Sequence, residues 1–196
     1  MCSRYELNIS SPEHVSLRFE AGSVSGVVPP PEIRPTDRAP VIKPGGQVAM
    51  LHWGLENSWG GMPLINARSE TLTEKKPFIP LLENRCLVPA SAYFEWRKDD
   101  KQKIKTHIAP VDRDLIAFAG LFDYDRFTII TCIPSSSIAH IHDRMPVILE
   151  RHYEQDWLTQ AYSFAQVRNL LTPYPNGILL AREISPPQRP QRDLFD

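Results

Sequence analysis

The strand-forming residues of this chain are concentrated in residues 85–133, RCLVPASAYFEWRKDDKQKIKTHIAPVDRDLIAFAGLFDYDRFTIITCI. Apolar and aromatic residues fill the segments 85–97, 103–111, 115–124 and 126–133, and turn-forming residues separate them. The Pro-Ala-Ser at the centre of the first segment should bend it. Short strands at such regular intervals are typical of an antiparallel sheet or barrel and not of alternating β-α-β units.

The flanking sequence adds two strands and two helical regions. Residues 47–55 form an apolar run after Gly-Gly, and residues 177–183 have the pattern of a closing strand. Ser10-Ser11-Pro12-Glu13 has the residues of a helix start, and residues 153–171 have a loosely helical pattern. The sequence therefore predicts a strand-dominated α+β fold, with mostly antiparallel sheets forming a barrel-like core and a few flanking helices.

Proline is unusually frequent, with 19 in 196 residues, and six lie between Pro29 and Pro44. Because proline fixes φ and lacks a backbone N–H, we expect residues 29–46 to form a surface loop and not a central strand. A proline-rich tail follows from 185 to 196. The sequence thus predicts one domain over residues 1–184.

Composition and charge exclude several classes of protein. Hydrophobic residues make up 42% of the chain and its net charge is −1, which is unlike a protein that coats duplex DNA. The chain has no apolar stretch long enough to span a membrane and no secretory signal, so we expect a cytoplasmic protein. The three cysteines form no disulfide framework and no C-x-x-C pair, and Cys86 and Cys132 are predicted to be buried, inert thiols. We expect no metal and no cofactor.

Cys2 follows the initiator methionine directly. If Met1 is removed, residue 2 carries a free amine and a thiol on adjacent carbons. The amine can condense with an aldehyde, and the thiol can then close a five-membered thiazolidine ring. An internal cysteine cannot do this, because its nitrogen is an amide. A frayed terminus with no function is the alternative interpretation of this residue.

Three further segments carry candidate chemistry. In LINARSET, residues 64–71, Asn66 and Arg68 are two residues apart and share a face of a strand. In PASAYFEW, residues 89–96, Glu95 lies among aromatic residues, which raises a carboxyl pKa towards that of a general acid or base. In HDRMPVIL, residues 142–149, His142 and Arg144 precede an apolar strand. A salt bridge from Glu95 to Arg97 or Lys98 and a structural role for His142 are the alternatives.

These blocks, with the Met-Cys-x-Arg-Tyr start and the Trp-Gly turn at residues 53–55, resemble the SOS-response-associated peptidase family, whose domain shields abasic sites in single-stranded DNA. The resemblance implies that Cys2 links covalently to the ring-opened sugar and that Asn66 holds the Cys2 terminus. It implies that Glu95 is a general acid/base, also in the autoproteolytic release of Met1, and that His142 assists ring opening. A role in DNA repair and the SOS response to DNA damage follows, with lyase-like chemistry at abasic sites.

The resemblance also implies a nucleic-acid partner. The candidate DNA contacts are Arg4, Arg68 and Arg144 for phosphates, and Trp53 and Trp59 for packing or base stacking. We expect a monomer that associates with the nucleoid when it is bound to DNA. The chain departs from the family pattern at Ser3, Asp37 and Glu56, so its DNA affinity and preferred DNA junction stay open.

Two other classes of function compete with this hypothesis. One is a cysteine-type peptidase that uses a Cys–His pair on peptide substrates. The other is a non-catalytic module that binds single-stranded DNA. An extra residue ahead of Cys2 is compatible with a hydrolase, but it would block aldehyde capture because the free amine would be lost.

Overall fold

The computed structural model describes residues 2–23, 30, 32–58, 60–100, 102–112 and 115–184. Three short helices flank the strands: α1 (Pro12–Phe19), α2 (Glu154–Leu158) and α3 (Phe164–Val167). The strands, in chain order, are β1 (Tyr5–Glu6), β2 (Glu32–Ile33), β3 (Arg38–Lys43), β4 (Gln47–Trp53), β5 (Asn66–Arg68), β6 (Arg85–Ala90), β7 (Ala92–Asp99), β8 (Gln102–Pro110), β9 (Ile116–Asp123), β10 (Arg126–Cys132), β11 (Met145–Pro146), β12 (Ile148–Leu149) and β13 (Leu179–Glu183).

Five strands close into a barrel in the order β10-β4-β3-β6-β9, because β9 pairs back onto β10. All these pairings are antiparallel except that of β4 with β10. Closure requires close packing at Gly120 on β9, where an added Cβ would lie 2.9 Å from the Cys86 Sγ and 3.0 Å from the Thr128 carbonyl oxygen. The hydrophobic core includes side chains of the barrel strands and also of all three helices.

A second, five-stranded sheet has the order β13-β8-β7-β1-β2. It brings the amino terminus onto β7, since Tyr5 lies opposite Tyr93 and the Phe94 N–H donates to the Arg4 carbonyl at 2.9 Å. Tyr5 and Tyr93 are both fully buried and both pack edge-on against Phe118. This pairing positions the first residues of the chain beside Glu95.

The predicted fold class is confirmed, and so are the principal strands. The expected bend in the first segment occurs at Ser91, which separates β6 from β7. The predicted helix start is confirmed by α1, although its N-cap residue Ser11 makes no capping side-chain hydrogen bond. Residues 153–171 are helical in short pieces, α2 and α3, joined by 3-10 turns and irregular backbone.

The prediction of a surface loop over residues 29–46 is wrong for Arg38–Lys43. These residues form β3, a strand of the barrel wall between β4 and β6. Ala39, Val41 and Ile42 are fully buried, and their apolar character outweighs the prolines beside them. Pro40 is tolerated because β3 pairs fully with β4 but with β6 only where Ile42 meets Leu87, so a backbone N–H is not needed on both sides.

Other predictions are answered in part by the described residues. Cys86 and Cys132 are buried free thiols, as predicted. The tail at 185–196 lies outside the described residues, and the domain bounds stay a prediction. In the part of the chain that the structure describes, no helix combines the length and apolar character needed to cross a membrane.

Candidate active site and nucleic-acid interface

Cys2 is fully buried beside β5 and β7. The Asn66 side-chain amide donates to the Cys2 carbonyl oxygen at 2.7 Å, and the Cys2 thiol contacts the Arg4 carbonyl oxygen at 3.5 Å. Asn66 is available for this contact because β5 runs parallel to β10, with Asn66 opposite Ile129. Burial raises the pKa of the Cys2 thiol well above its ordinary value, and the neighbouring Glu95 carboxylate raises it further. The thiol is therefore held in its protonated form.

Glu95 lies on β7 with only 3% of its surface exposed. Burial raises its pKa from 4.5 to about 7, and the charge of Asp143 also raises it. A carboxyl group with this pKa holds and releases a proton near neutral pH, which is what a general acid/base requires. The alternative of a salt bridge to Arg97 is not supported, because Arg97 pairs with Glu183 at 2.7 Å and with Asp99 at 3.5 Å.

The His142 ring faces Glu95, with Nε2 3.8 Å from the Glu95 Oε2. On the other side of the ring, the Arg144 backbone N–H lies 3.0 Å from Nδ1. Burial lowers the pKa of His142, while Asp143, 2.8 Å from Nδ1, stabilises the protonated ring. Near neutral pH this pair therefore offers a carboxyl group that can donate a proton and a neutral imidazole that can accept one.

A cavity of about 760 Å³ opens over this pair, with Glu95 and His142 in its wall. Its lining also carries Arg4, Lys98 and Lys103, so cations surround the acid/base pair. The Arg4 guanidinium lies 5.8 Å from the Trp96 ring centroid and forms an ion pair with Glu32. The remaining lining residues are Ser3, Trp96, Ala139, His140, Ile141 and Asp143.

A second cavity of about 600 Å³ lies on the other side of Asn66. Arg68 is exposed here, and Lys75, Lys76 and Phe78 also line the wall. This placement is compatible with the predicted role of Arg68 as a phosphate contact.

Two predicted DNA contacts are wrong. Trp53 is fully buried, with its indole N–H donating to the Ile65 carbonyl at 2.9 Å, so its ring cannot stack on a base. Arg144 is 9% exposed and pairs with both oxygens of Glu70, at 2.7 and 2.8 Å. Its charge is compensated within the protein, and it holds the loop after His142 in place. Trp59 lies outside the described residues.

The structure thus brings together Cys2, Asn66, Glu95 and His142, with Arg4 at the edge of the same cavity. Sequence reasoning did not single out Trp96, Lys98 and Lys103, which line the first cavity, or Lys75 and Lys76, which line the second. The alternation of Trp96 and Lys98 along a strand ending in a polar hairpin was the signal for the first two. Among the described residues, no group of three or more His, Cys, Asp or Glu side chains is arranged to hold a metal ion.

Known proteins resemble this chain in sequence and in fold. An abasic site processing protein of Bacillus subtilis, YoaM, is 38% identical over 156 residues, covering 71% of this chain and 69% of that protein. YedK of Escherichia coli, with the same descriptive name, is 30% identical over 155 residues, covering 66% of this chain and 70% of that protein. HMCES of Xenopus tropicalis is 31% identical over 140 residues, covering 53% of this chain and 42% of that protein.

A crystal structure of a Bacteroides thetaiotaomicron protein matches with a TM-score of 0.85 and 27% identity, covering 94% of this chain and 92% of that one. The family model described as SOS response associated peptidase matches residues 1–187. With that match over nearly the whole chain, and with the Cys2, Asn66, Glu95 and His142 blocks in one site, this chain belongs to the SOS response associated peptidase family.

Proposed function

We propose that this chain recognises abasic sites in single-stranded DNA and links to them covalently through Cys2 after the loss of Met1. The observation that carries the proposal is the Asn66 hydrogen bond of 2.7 Å to the Cys2 carbonyl, beside a glutamate whose pKa is raised to about 7. The names of the relatives, abasic site processing proteins, support the choice of substrate.

Release of Met1 is the first step of the proposed reaction sequence. Water is added across the Met1–Cys2 amide bond, methionine leaves with the new carboxylate, and the Cys2 nitrogen receives a proton as it becomes a free amine. Glu95 is the group that donates this proton, since its pKa keeps it partly protonated near neutral pH. Asn66 keeps the Cys2 carbonyl fixed while the bond beside it breaks.

Capture of the abasic sugar then uses both groups of Cys2. The amine attacks the aldehyde carbon of the ring-opened deoxyribose and forms a carbinolamine, which loses water to give an imine. The thiol sulfur adds to the imine carbon, and the thiol proton is transferred to nitrogen. One aldehyde and one aminothiol thus give one thiazolidine and one water, with no change of oxidation state.

Glu95 and His142 divide the proton transfers in this scheme. Loss of water from the carbinolamine needs an acid, which the protonated Glu95 supplies. Opening of the sugar ring needs a base at the anomeric hydroxyl, and His142, whose pKa is lowered by burial, is neutral and able to act. Because the thiazolidine contains no imine, elimination of the DNA strand is suppressed, and lyase chemistry can occur only from the imine stage.

A cysteine peptidase acting on peptides is less compatible with the site. Such an enzyme attacks with a thiolate, whereas burial holds the Cys2 thiol protonated and its sulfur contacts the Arg4 carbonyl oxygen. The peptidase activity in our proposal is limited to the removal of Met1.

Variants at residue 2 test the proposal, because they separate the amine from the thiol. Wild-type protein should form an adduct with an abasic single-stranded oligonucleotide that survives a denaturing gel. Cys2→Ser keeps the amine, so it should form an adduct only when cyanoborohydride reduces the imine. A chain with one residue inserted after Met1 should form no adduct that survives without the reductant, because the cysteine nitrogen is then an amide. An adduct of wild-type stability from Cys2→Ser would exclude the thiazolidine. No adduct from wild type would leave a non-catalytic binding module.

A further inference from the structure

The outer face of the five-stranded sheet is a feature that the proposed chemistry does not use. Residues that alternate along these strands point to opposite faces. Tyr5, Tyr93 and Ile108 point into the core and are at most 1% exposed. The outer face is built from Arg4 just before β1, Glu6 on β1, Glu32 on β2, Phe94, Trp96 and Lys98 on β7, Lys103, Lys105 and His107 on β8, and Leu180 and Arg182 on β13.

Basic side chains form a continuous row on this face. Lys103, Lys105 and His107 alternate along β8, so they are about 7 Å apart from one to the next. Lys98 lies opposite Lys103 on β7, and Arg182 lies opposite His107 on β13. The row therefore extends across the neighbouring strands on both sides of β8.

The carboxylates on this face are already paired. Glu32 binds both Arg4 and Lys105, the latter at 2.6 Å, and Glu6 lies 3.3 Å from His107. Within the described part of the chain, no carboxylate lies within 4 Å of Lys98, Lys103 or Arg182, and all three are exposed. These three cations are available to an anionic partner.

Aromatic rings lie beneath the row and fix its geometry. The Lys105 ammonium is 4.1 Å from the Phe94 ring centroid, and the His107 ring packs 5.3 Å from the same ring. Trp96 is only half-buried and lies between this face and the cavity over Glu95. Lys98 and Lys103 also line that cavity, so the cationic row begins at the candidate active site and leads away from it.

We infer that this face binds the sugar–phosphate backbone of the DNA strand on one side of the abasic nucleotide. The inference rests on the proposed function, because continuity with the Glu95 cavity is what identifies the occupant as the same single strand. The spacing of alternate residues on β8 is close to that of successive phosphates in an extended strand. The five Lys and Arg side chains of this face outnumber its two glutamates, and this local excess of positive charge favours an extended polyanion.

Salt dependence of binding tests the inference on an undamaged long single-stranded oligonucleotide, for which adduct chemistry is irrelevant. The plot of log K against log salt has a negative slope. The magnitude of this slope should decrease by about 0.7 for Arg182→Gln and by about 1.4 for Lys103→Gln/Arg182→Gln. Arg168→Gln and Arg151→Gln/Arg168→Gln remove the same charges from exposed positions outside this sheet and should leave the slope unchanged.

Abasic oligonucleotides with a flank on only the 5′ side or only the 3′ side locate the contact. Arg182→Gln should weaken binding of one of the two and leave the other unchanged, while the rate of adduct formation on an abasic trinucleotide equals that of wild type. An unchanged slope in Lys103→Gln/Arg182→Gln, or an equal loss in the control pair, overturns the inference and assigns these cations to another partner, such as an acidic protein. Failure of wild type to form any adduct would instead refute the proposed function, and the slopes would still decide whether this face binds DNA.

Discussion

Burial makes Glu95 a weaker acid than glutamate is in water. Its pKa is about 7 in the folded protein against 4.5 ordinarily, because burial penalises the ionised carboxylate. Between these two values the folded state binds more protons than the unfolded state. The free energy of unfolding therefore decreases as the pH rises from about 4.5 to about 7, and the ionised Glu95 destabilises the fold above that range.

Glu95→Gln should remove this penalty. A shift of one pKa unit corresponds to about 1.4 kcal/mol. The difference in free energy of unfolding between the variant and wild type should therefore be about 3 kcal/mol larger near pH 8 than near pH 4.5, in favour of the variant. Denaturant unfolding at both pH values measures this difference. Glu74→Gln, at an exposed position, is the control. A gain that is independent of pH would show that Glu95 ionises normally in the folded protein.

Asn66→Ala should separate positioning from binding. The variant loses the 2.7 Å hydrogen bond to the Cys2 carbonyl, which stabilises the fold by about 1 kcal/mol. Adduct formation should slow at least tenfold at saturating DNA, while the affinity for undamaged DNA stays that of wild type. Single-turnover rates and anisotropy titrations measure the two quantities. A loss of affinity with an unchanged rate would assign Asn66 to DNA binding.

Local residue types suggested the chemistry of Cys2 and Glu95, and the family resemblance supplied the roles predicted for Asn66 and His142. Sequence reasoning failed for Trp53 and Arg144, since the partners of these residues come from other parts of the chain. Arg144 pairs with Glu70, which is 74 positions away, and no local pattern reveals that contact. An arginine in a recognisable sequence motif can therefore be assigned to phosphate binding only when its acidic neighbours in the fold are known.

At the scale of elements, β10 connects the barrel to the site. It pairs with β4 and β5 on one side and with β9 and β11 on the other. The strands of residues 85–133 were predictable from their apolar runs and turn spacing. β3 was not, because Pro40 and the prolines on either side of the strand masked the apolar run from Ala39 to Ile42. The parallel pairing of β4 with β10, which completes the barrel, is a long-range contact that single-sequence patterns do not contain.

Barrel closure predicts a strong effect of Gly120→Ala. The added methyl would approach the Cys86 Sγ to 2.9 Å and the Val88 Cγ2 to 3.0 Å, so the strands must separate. Overpacking of this kind destabilises proteins by about 1–3 kcal/mol. Thermal unfolding measures the effect, and Gly22→Ala, whose new Cβ has only an ordinary contact at 3.5 Å, is the control. Equal stability of the two variants would argue against closure at this point.

The Glu70–Arg144 pair ties the loop after His142 to the turn that follows β5. Arg144→Met should lower stability by about 3 kcal/mol, because Arg144 also donates to the buried Thr131 carbonyl at 2.6 Å. It should not change the salt dependence of DNA binding. Arg68→Met should leave the stability unchanged and should decrease the magnitude of the slope of log K against log salt by about 0.7. A reduced slope for Arg144→Met would restore Arg144 as a phosphate contact.

At the scale of the whole molecule, the two sheets meet at the amino terminus. The barrel supplies Asn66 through β5, the five-stranded sheet supplies Glu95 through β7, and the loop before β11 supplies His142. Arg4, Lys98 and Lys103 lie around the resulting cavity, although the chain as a whole carries a charge of only −1. Net charge therefore gave no indication of a nucleic-acid partner, since opposite charges elsewhere cancel this local concentration.

Intact-protein mass spectrometry, before and after incubation with an abasic single-stranded oligonucleotide, is the most direct test of covalent capture by Cys2. The purified protein should weigh less than the 196-residue sequence by one methionine residue. After incubation its mass should rise by that of the oligonucleotide minus one water. Retention of Met1 together with an adduct, or an adduct of the same mass from Cys2→Ala without a reductant, would contradict the account.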